Sequence, residues 1–132
     1  MFEVAEELSV GIKDEPGSLA AALKVVADAG CAVRAFCGYS MAGAGNVMIV
    51  PDKAAKAKAA LKKAGYKEIE SSKVVVGTTK DKKGAGADIT VQAREKGINL
   101  EYVYATGTGK GTGVIVLAAG SSTARLAKAL NG

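Results

Sequence analysis

The chain has 132 residues, 48% apolar and 23% charged, enough for one ordinary domain or two very small ones and too apolar for a disordered polymer. Aromatic residues make up only 5% of it and Trp is absent, so any core is built from Ala, Val, Leu and Ile. A net charge of +5 admits an anionic partner without requiring one, and the absence of histidine removes the commonest general base and metal ligand.

Met1 to Glu7 is acidic and lacks an apolar run, so no secretory leader is expected. No stretch of about 18 apolar residues is present to span a membrane, and a reducing, cytoplasmic setting is the expectation. Ser9 to Ile12 is a short β-rich run. Asp14-Glu15-Pro16-Gly17 reads as a turn feeding a helix, with Asp14 as N-cap and Pro16 in a first turn where its missing N–H does no harm. The helix runs to about Ala29, carries Leu19, Ala22, Leu23 and Val26 on one face, and ends at Gly30. Cys31 to Tyr39 follows as a strand in which Cys31, Val33, Ala35 and Cys37 alternate with Ala32, Arg34, Phe36 and Gly38. At about 3.3 Å per residue the two cysteines lie about 20 Å apart, beyond the roughly 7 Å between Cα atoms that a disulfide allows. A Gly-rich link, a strand at Val47 to Val50, a helix at Asp52 to Ala64 capped by Asp52, and a strand at Tyr66 to Ser71 complete this part.

The same order then repeats. Val74 to Thr79 is a strand, Asp81 to Gly84 a turn, and a helix runs to about Lys96 with Gly86, Ile89, Thr90 and Ala93 on its inner face. The glycine and small residues on that face predict a thinner helix packed closer to its sheet. Gly97 ends it, Ile98 to Ala105 and Val114 to Ala118 are strands, and Ser121 to Leu130 is a helix capped by Ser121 or Ser122. At an offset of 67, without a gap, Lys13 meets Lys80, Asp14 meets Asp81, Gly17 meets Gly84 and Gly30 meets Gly97. Each copy therefore reads β-α-β-β-α-β, an α+β ferredoxin-like sandwich, with one copy in residues 1–72 and the other in 73–132. The second stops at Asn131-Gly132 without a final strand of its own. Either its sheet keeps three strands, or a segment such as Met1 to Ala5 completes it, and an open edge of that kind invites pairing.

Tyr104 to Val114, "YATGTGKGTGV", has alternating glycines around Lys110 and suggests a phosphate loop. A phosphate loop runs from a strand into a helix N-terminus, whereas this run leads into a strand. The letters disagree as well, with Tyr104 and Gly111 where Gly and Ser or Thr are needed. A hairpin is the reading that fits.

The stretches "KDEPGSLAAALKVVADAGCAV" and "DKKGAGADITVQAREKGINLEYVYA" resemble the ACT domain family, closest to stand-alone tandem ACT proteins. The first copy matches at Asp14, Pro16, Gly17, Leu19 and Gly30, with Ala32 where Asn is usual; the second matches at Asp81, Gly84, Gly97 and Asn99, with Lys83 for Pro and Gly86 for Leu. The resemblance implies a non-catalytic regulatory module that binds a small ligand, an amino acid, at an interface between ACT units, with homodimerisation and a regulated metabolic enzyme as partners. Carried over residue by residue, it places the ligand at Lys13, Asp14, Gly17 and Ser18 with Ala32 and Val33, and at Lys80, Asp81, Gly84 and Ala85 with Asn99 and Leu100. The chemistry suits a zwitterion. An aspartate accepts from the ammonium group, and the N–H groups of a helix start meet the carboxylate. The competing structural role of Asp14 and Asp81 is helix capping, and that of Gly17 and Gly84 is helix–sheet packing. No cofactor is implied.

Catalysis has no support from a histidine, a cysteine with a base, a carboxylate pair at a strand end or a metal-ligand spacing. RNA binding on this fold needs aromatic strings on the sheet, and Phe36 with Tyr39 falls short of one, so nucleic acid is not expected. Metal carriage needs Cys-x-x-Cys, which Cys31 and Cys37 do not form. A ligand-free oligomerisation module is the alternative function.

Overall fold

A computed structural model of the chain describes every residue except Asp81 and Thr108. Among the described residues the order is β1 (Phe2–Lys13), α1 (Ser18–Asp28), β2 (Val33–Met41), β3 (Ala44–Pro51), α2 (Ala54–Lys63), β4 (Ile69–Lys80), α3 (Ala85–Glu95), β5 (Tyr102–Thr106), β6 (Thr112–Ala118), a 3-10 turn (Gly120–Ser122) and α4 (Thr123–Asn131). The chain forms two compact units, residues 6–72 and residues 1–5 with 73–132. Each is an α+β sandwich of antiparallel strands with two helices on one face.

In the unit of residues 6–72 the strands lie in the order β2-β3-β1-β4. Leu8 and Val10 from β1 and Val47 and Ile49 from β3 point to the helices, where Ala22, Val26, Ala57 and Leu61 meet them with no exposure. That alternation leaves Ser9, Gly11, Asn46 and Met48 on the helix-free face, with Gly11 directly opposite Asn46 and Ser9 opposite Met48. The start of β4 closes this sheet, since the Gly11 N–H donates to the Glu68 carbonyl at 2.8 Å and Ile69 packs on the core.

Strand β2 departs from the expected alternation. A register shift between Val33 and Ala35 lets Cys31 stay in the core while Phe36 and Gly38 turn to the helix side, opposite Ile49 and Val47. Leu19 covers Gly38, whose absent Cβ would lie 3.2 Å from the Leu19 side chain. Ala35 and Cys37 consequently occupy the helix-free face. The β2–β3 link is a two-residue turn, Ala42-Gly43, with φ of 53 and 80.

In the unit of residues 1–5 with 73–132 the order is β1-β4-β6-β5. Val75, Ile89, Ala93, Ile115, Leu117 and Leu126 build the core. Residues 1–5 belong to this unit. Phe2 packs on the core, and its ring occupies the space over Gly77 that any side chain there would fill. Of the four residues expected on the inner face of α3, only Ile89 and Ala93 meet the core. Gly86 and Thr90 are exposed, and a Cβ on Gly86 would meet nothing within 4 Å.

Two strands are longer than their β-rich runs. β1 extends far to the N-terminal side of Ser9–Ile12, and the runs 66–71 and 74–79 fuse into the single strand β4. The expected caps are also absent. The residues preceding α1, α2 and α4 are Gly17, Lys53 and Ser122, and none makes a side-chain capping bond. Among the described residues no helix is long and apolar enough to cross a membrane.

Candidate functional site

β1 ends at Lys13, the chain turns through 14–17, and α1 begins at Ser18. Gly17 holds φ at 89, and a Cβ there would meet nothing within 4 Å. The glycine is therefore set by backbone conformation and not by helix–sheet packing. The Gly17 carbonyl accepts the first helical bond from Ala21 N–H at 2.9 Å, while Ser18 N–H donates to the Glu15 carbonyl at 3.3 Å. Asp14 is exposed and does not cap the helix, so capping does not account for its carboxylate. No acidic residue occupies the first turn of α1.

The matching turn in the other unit repeats this geometry. Gly84 has φ of 84, accepts from Asp88 N–H at 2.9 Å, and Ala85 N–H donates to the Lys82 carbonyl at 3.3 Å. Lys80 ends β4 and is exposed. Asp81, expected here as cap or ammonium acceptor, lies outside the described residues. The two turns differ in charge. α3 carries Asp88 in its first turn, so its positive end already faces a carboxylate and is less suited than α1 to an anion.

The strand-start residues stand apart from these turns. Within each unit an 11-residue helix separates the two sets, a span of about 16 Å at 1.5 Å per residue. No single unit brings its turn and its strand start together on one small ligand. Ala32 N–H is also committed, because it donates to the Asp52 carboxylate at 2.8 Å. This is the role Asp52 takes in place of capping α2. Val33 is 36% exposed and pairs with Pro51. Asn99 and Leu100 line an open cleft of about 430 Å³ beside Thr90, Arg94 and Ile98. Arg94 supplies a cation to this cleft that sequence reading had not placed.

Lys13 lines a second open cleft of about 420 Å³ with Ile12, Gly45, Tyr66, Lys67 and Glu68. Asp14, Gly17 and Ser18 are not among its lining residues. Glu68 and Lys67 were missed because nothing in a short strand start marks them; the one available signal was Gly11, a glycine inside a strand, which often marks a close approach.

Glycine-run residues 109–111 precede β6, a strand, so the helix dipole of a phosphate loop is absent. Tyr102 and Tyr104 share a face of β5 and are half-buried, outside the residues of the core cluster. Among the described residues no group of three His, Cys, Asp or Glu side chains could hold a metal ion.

A family profile described as an ACT domain pair matches residues 3–129. No curated protein sequence matches the chain. Among solved structures, protein BT0572 from Bacteroides thetaiotaomicron is similar at 22% identity and a TM-score of 0.84, over 98% of this chain and 88% of that one. The regulatory subunit of aspartate kinase from Thermus thermophilus, in a ligand-free form, shares 18% identity with a TM-score of 0.71, over 99% of this chain and 93% of that one. Its counterpart from Thermus flavus shares 17% identity with a TM-score of 0.66, over 99% and 94%. Likeness at these identities concerns the fold.

Proposed function

The chain belongs to the ACT domain pair family, and from that premise we propose that it is a non-catalytic regulatory protein that binds an amino acid. The single observation that carries the reading is the family match across both units, residues 3–129. The helix-entry turns support it. Gly17 and Gly84 hold left-handed backbone that opens each turn, with Lys13 and Asp14 beside one and Lys80 beside the other. Of the two, the turn before α1 suits a zwitterion better. Asp14 offers an acceptor to the ammonium group, and the first turn of α1 holds no acid among the N–H groups that face the carboxylate. The proposal includes the residues carried over from the family: Gly17, Ser18, Ala32 and Val33 with Lys13 and Asp14, and Gly84, Ala85, Asn99 and Leu100 with Lys80 and Asp81. It also includes homodimerisation, a metabolic enzyme as the regulated partner, and a cytoplasmic setting.

A thermal-shift screen against the proteinogenic amino acids tests this reading. A ligand at 100 times its Kd adds about 2.7 kcal/mol, which raises the Tm by several degrees in a chain of this size. One selective hit supports a sensor. The absence of any shift, with the protein shown to be folded, leaves the ligand-free oligomerisation module as the better account.

A further inference from the structure

The helix-free face of the unit of residues 6–72 carries a groove that meets the helix-entry site only at Lys13. Its floor is β1 and β3. Ser9 and Gly11 point to this face, and Asn46 lies directly across from Gly11. Asn46 Nδ2 donates to Ser9 Oγ at 3.0 Å, which fixes the amide in place. Its wall is the segment that leads into β4. Glu68 lies over the Gly11 backbone, and a Cβ added at Gly11 would sit 2.8 Å from Glu68 Oε2 and 3.0 Å from Glu68 Cβ. A side chain at position 11 would crowd Glu68, so the glycine gives the Glu68 side chain room to lie over the strand.

The groove encloses about 460 Å³ and is lined by Ser9, Asn46, Lys67, Glu68 and Glu70 around Gly11. It shares Gly11, Lys67 and Glu68 with the cleft that reaches Lys13. The charges around the combined groove balance, with Glu68 and Glu70 against Lys13 and Lys67. A simple cation or anion would be repelled by half of them. A small zwitterion matches both halves, with its ammonium group toward the glutamates and its carboxylate toward the lysines. The fixed Asn46 amide and Ser9 hydroxyl add neutral hydrogen-bonding partners between the two.

We propose that this groove is a binding site for a free α-amino acid, with Glu68 as the acceptor for the α-ammonium group. The inference rests on the reading that the chain binds amino acids, and it moves the anchoring carboxylate from Asp14 to Glu68.

The test is NMR titration of the isotope-labelled full chain with each proteinogenic amino acid, on the native chain and on Glu68→Gln, Gly11→Ala and Glu95→Gln. Glu68 and Glu95 are exposed, so neither replacement threatens folding. The proposal expects one amino acid to move the amide signals of Gly11, Asn46 and Glu68. It also expects Glu68→Gln to weaken binding by about ten-fold or more, as loss of a charge-assisted bond does. Gly11→Ala, which displaces Glu68, weakens binding likewise, and Glu95→Gln leaves it unchanged. Binding that moves signals at 14–18 while Glu68→Gln binds normally overturns the groove and leaves the functional reading intact. Binding by no amino acid overturns the functional reading and the groove with it.

Discussion

Asn131 grips Phe2 at both of its backbone groups: its Nδ2 donates to the Phe2 carbonyl at 2.7 Å, and its Oδ1 accepts the Phe2 N–H at 2.8 Å. The two residues are 129 positions apart in sequence. The clamp fastens residues 1–5 to the unit built from residues 73–132. The Phe2 ring adds to it by filling the space over Gly77.

The clamp predicts a specific pattern of destabilisation. Asn131→Ala removes two solvent-exposed hydrogen bonds and lowers stability by about 1 kcal/mol. Gly77→Ala forces a methyl group against the Phe2 ring and costs about 1–3 kcal/mol. Urea denaturation measures both. Hydrogen exchange of the amides in residues 2–5 should quicken in each variant, because the strand is then less firmly held.

A stabilising substitution is available in the β2–β3 turn. Ala42 holds φ of 53 beside Gly43 at 80, the left-handed pair that Asn-Gly adopts most readily. Ala42→Asn and Ala42→Gly relieve the strain and raise stability by about 0.5–1 kcal/mol. A fall in the denaturation midpoint of both variants would contradict this account of the turn.

The carboxylate of Asp52 is assigned to the Ala32 N–H and not to the start of α2. Asp52→Ala therefore lowers stability by about 1 kcal/mol. Faster hydrogen exchange at Ala32, with the first turn of α2 unaffected, distinguishes this role from helix capping.

Gly17 provides a parallel test of backbone against packing. Gly17→Ala meets no neighbour within 4 Å, so its cost is that of holding an L-residue left-handed, about 1–2 kcal/mol. Substitution with D-Ala by chemical synthesis should recover that loss, because a D-residue favours positive φ. A loss of stability equal for both enantiomers would point to packing.

The order of strands and helices was legible because the two copies carry the same punctuation. Gly30 and Gly97 end the first helix of each copy with φ of 82 and 66, and Leu19, Ala22, Leu23 and Val26 all meet the core. What stayed hidden depends on partners distant in sequence. The strand character of the acidic stretch Glu3–Glu7 is one case, although Met1 to Ala5 was one of the two alternatives for completing the second copy, and residues 1–5 do belong to the unit built from 73–132. The shift at Val33–Ala35 reverses which side of β2 faces the helices, and periodicity alone cannot register an inserted residue. Asp14 and Asp52 looked like caps because both precede helices, but glycine turns and a bond to Ala32 take that place. The family positions were legible as short motifs, whereas Glu68 became a candidate only when Gly11 placed the carboxylate across β1.

The central claim, that the chain binds an amino acid, is tested most directly by calorimetric titration with each proteinogenic amino acid in turn. The account predicts a saturable heat for one amino acid or a small group of similar ones, at a fixed stoichiometry per chain. Titrations indistinguishable from dilution for every amino acid, with folded protein, would contradict it.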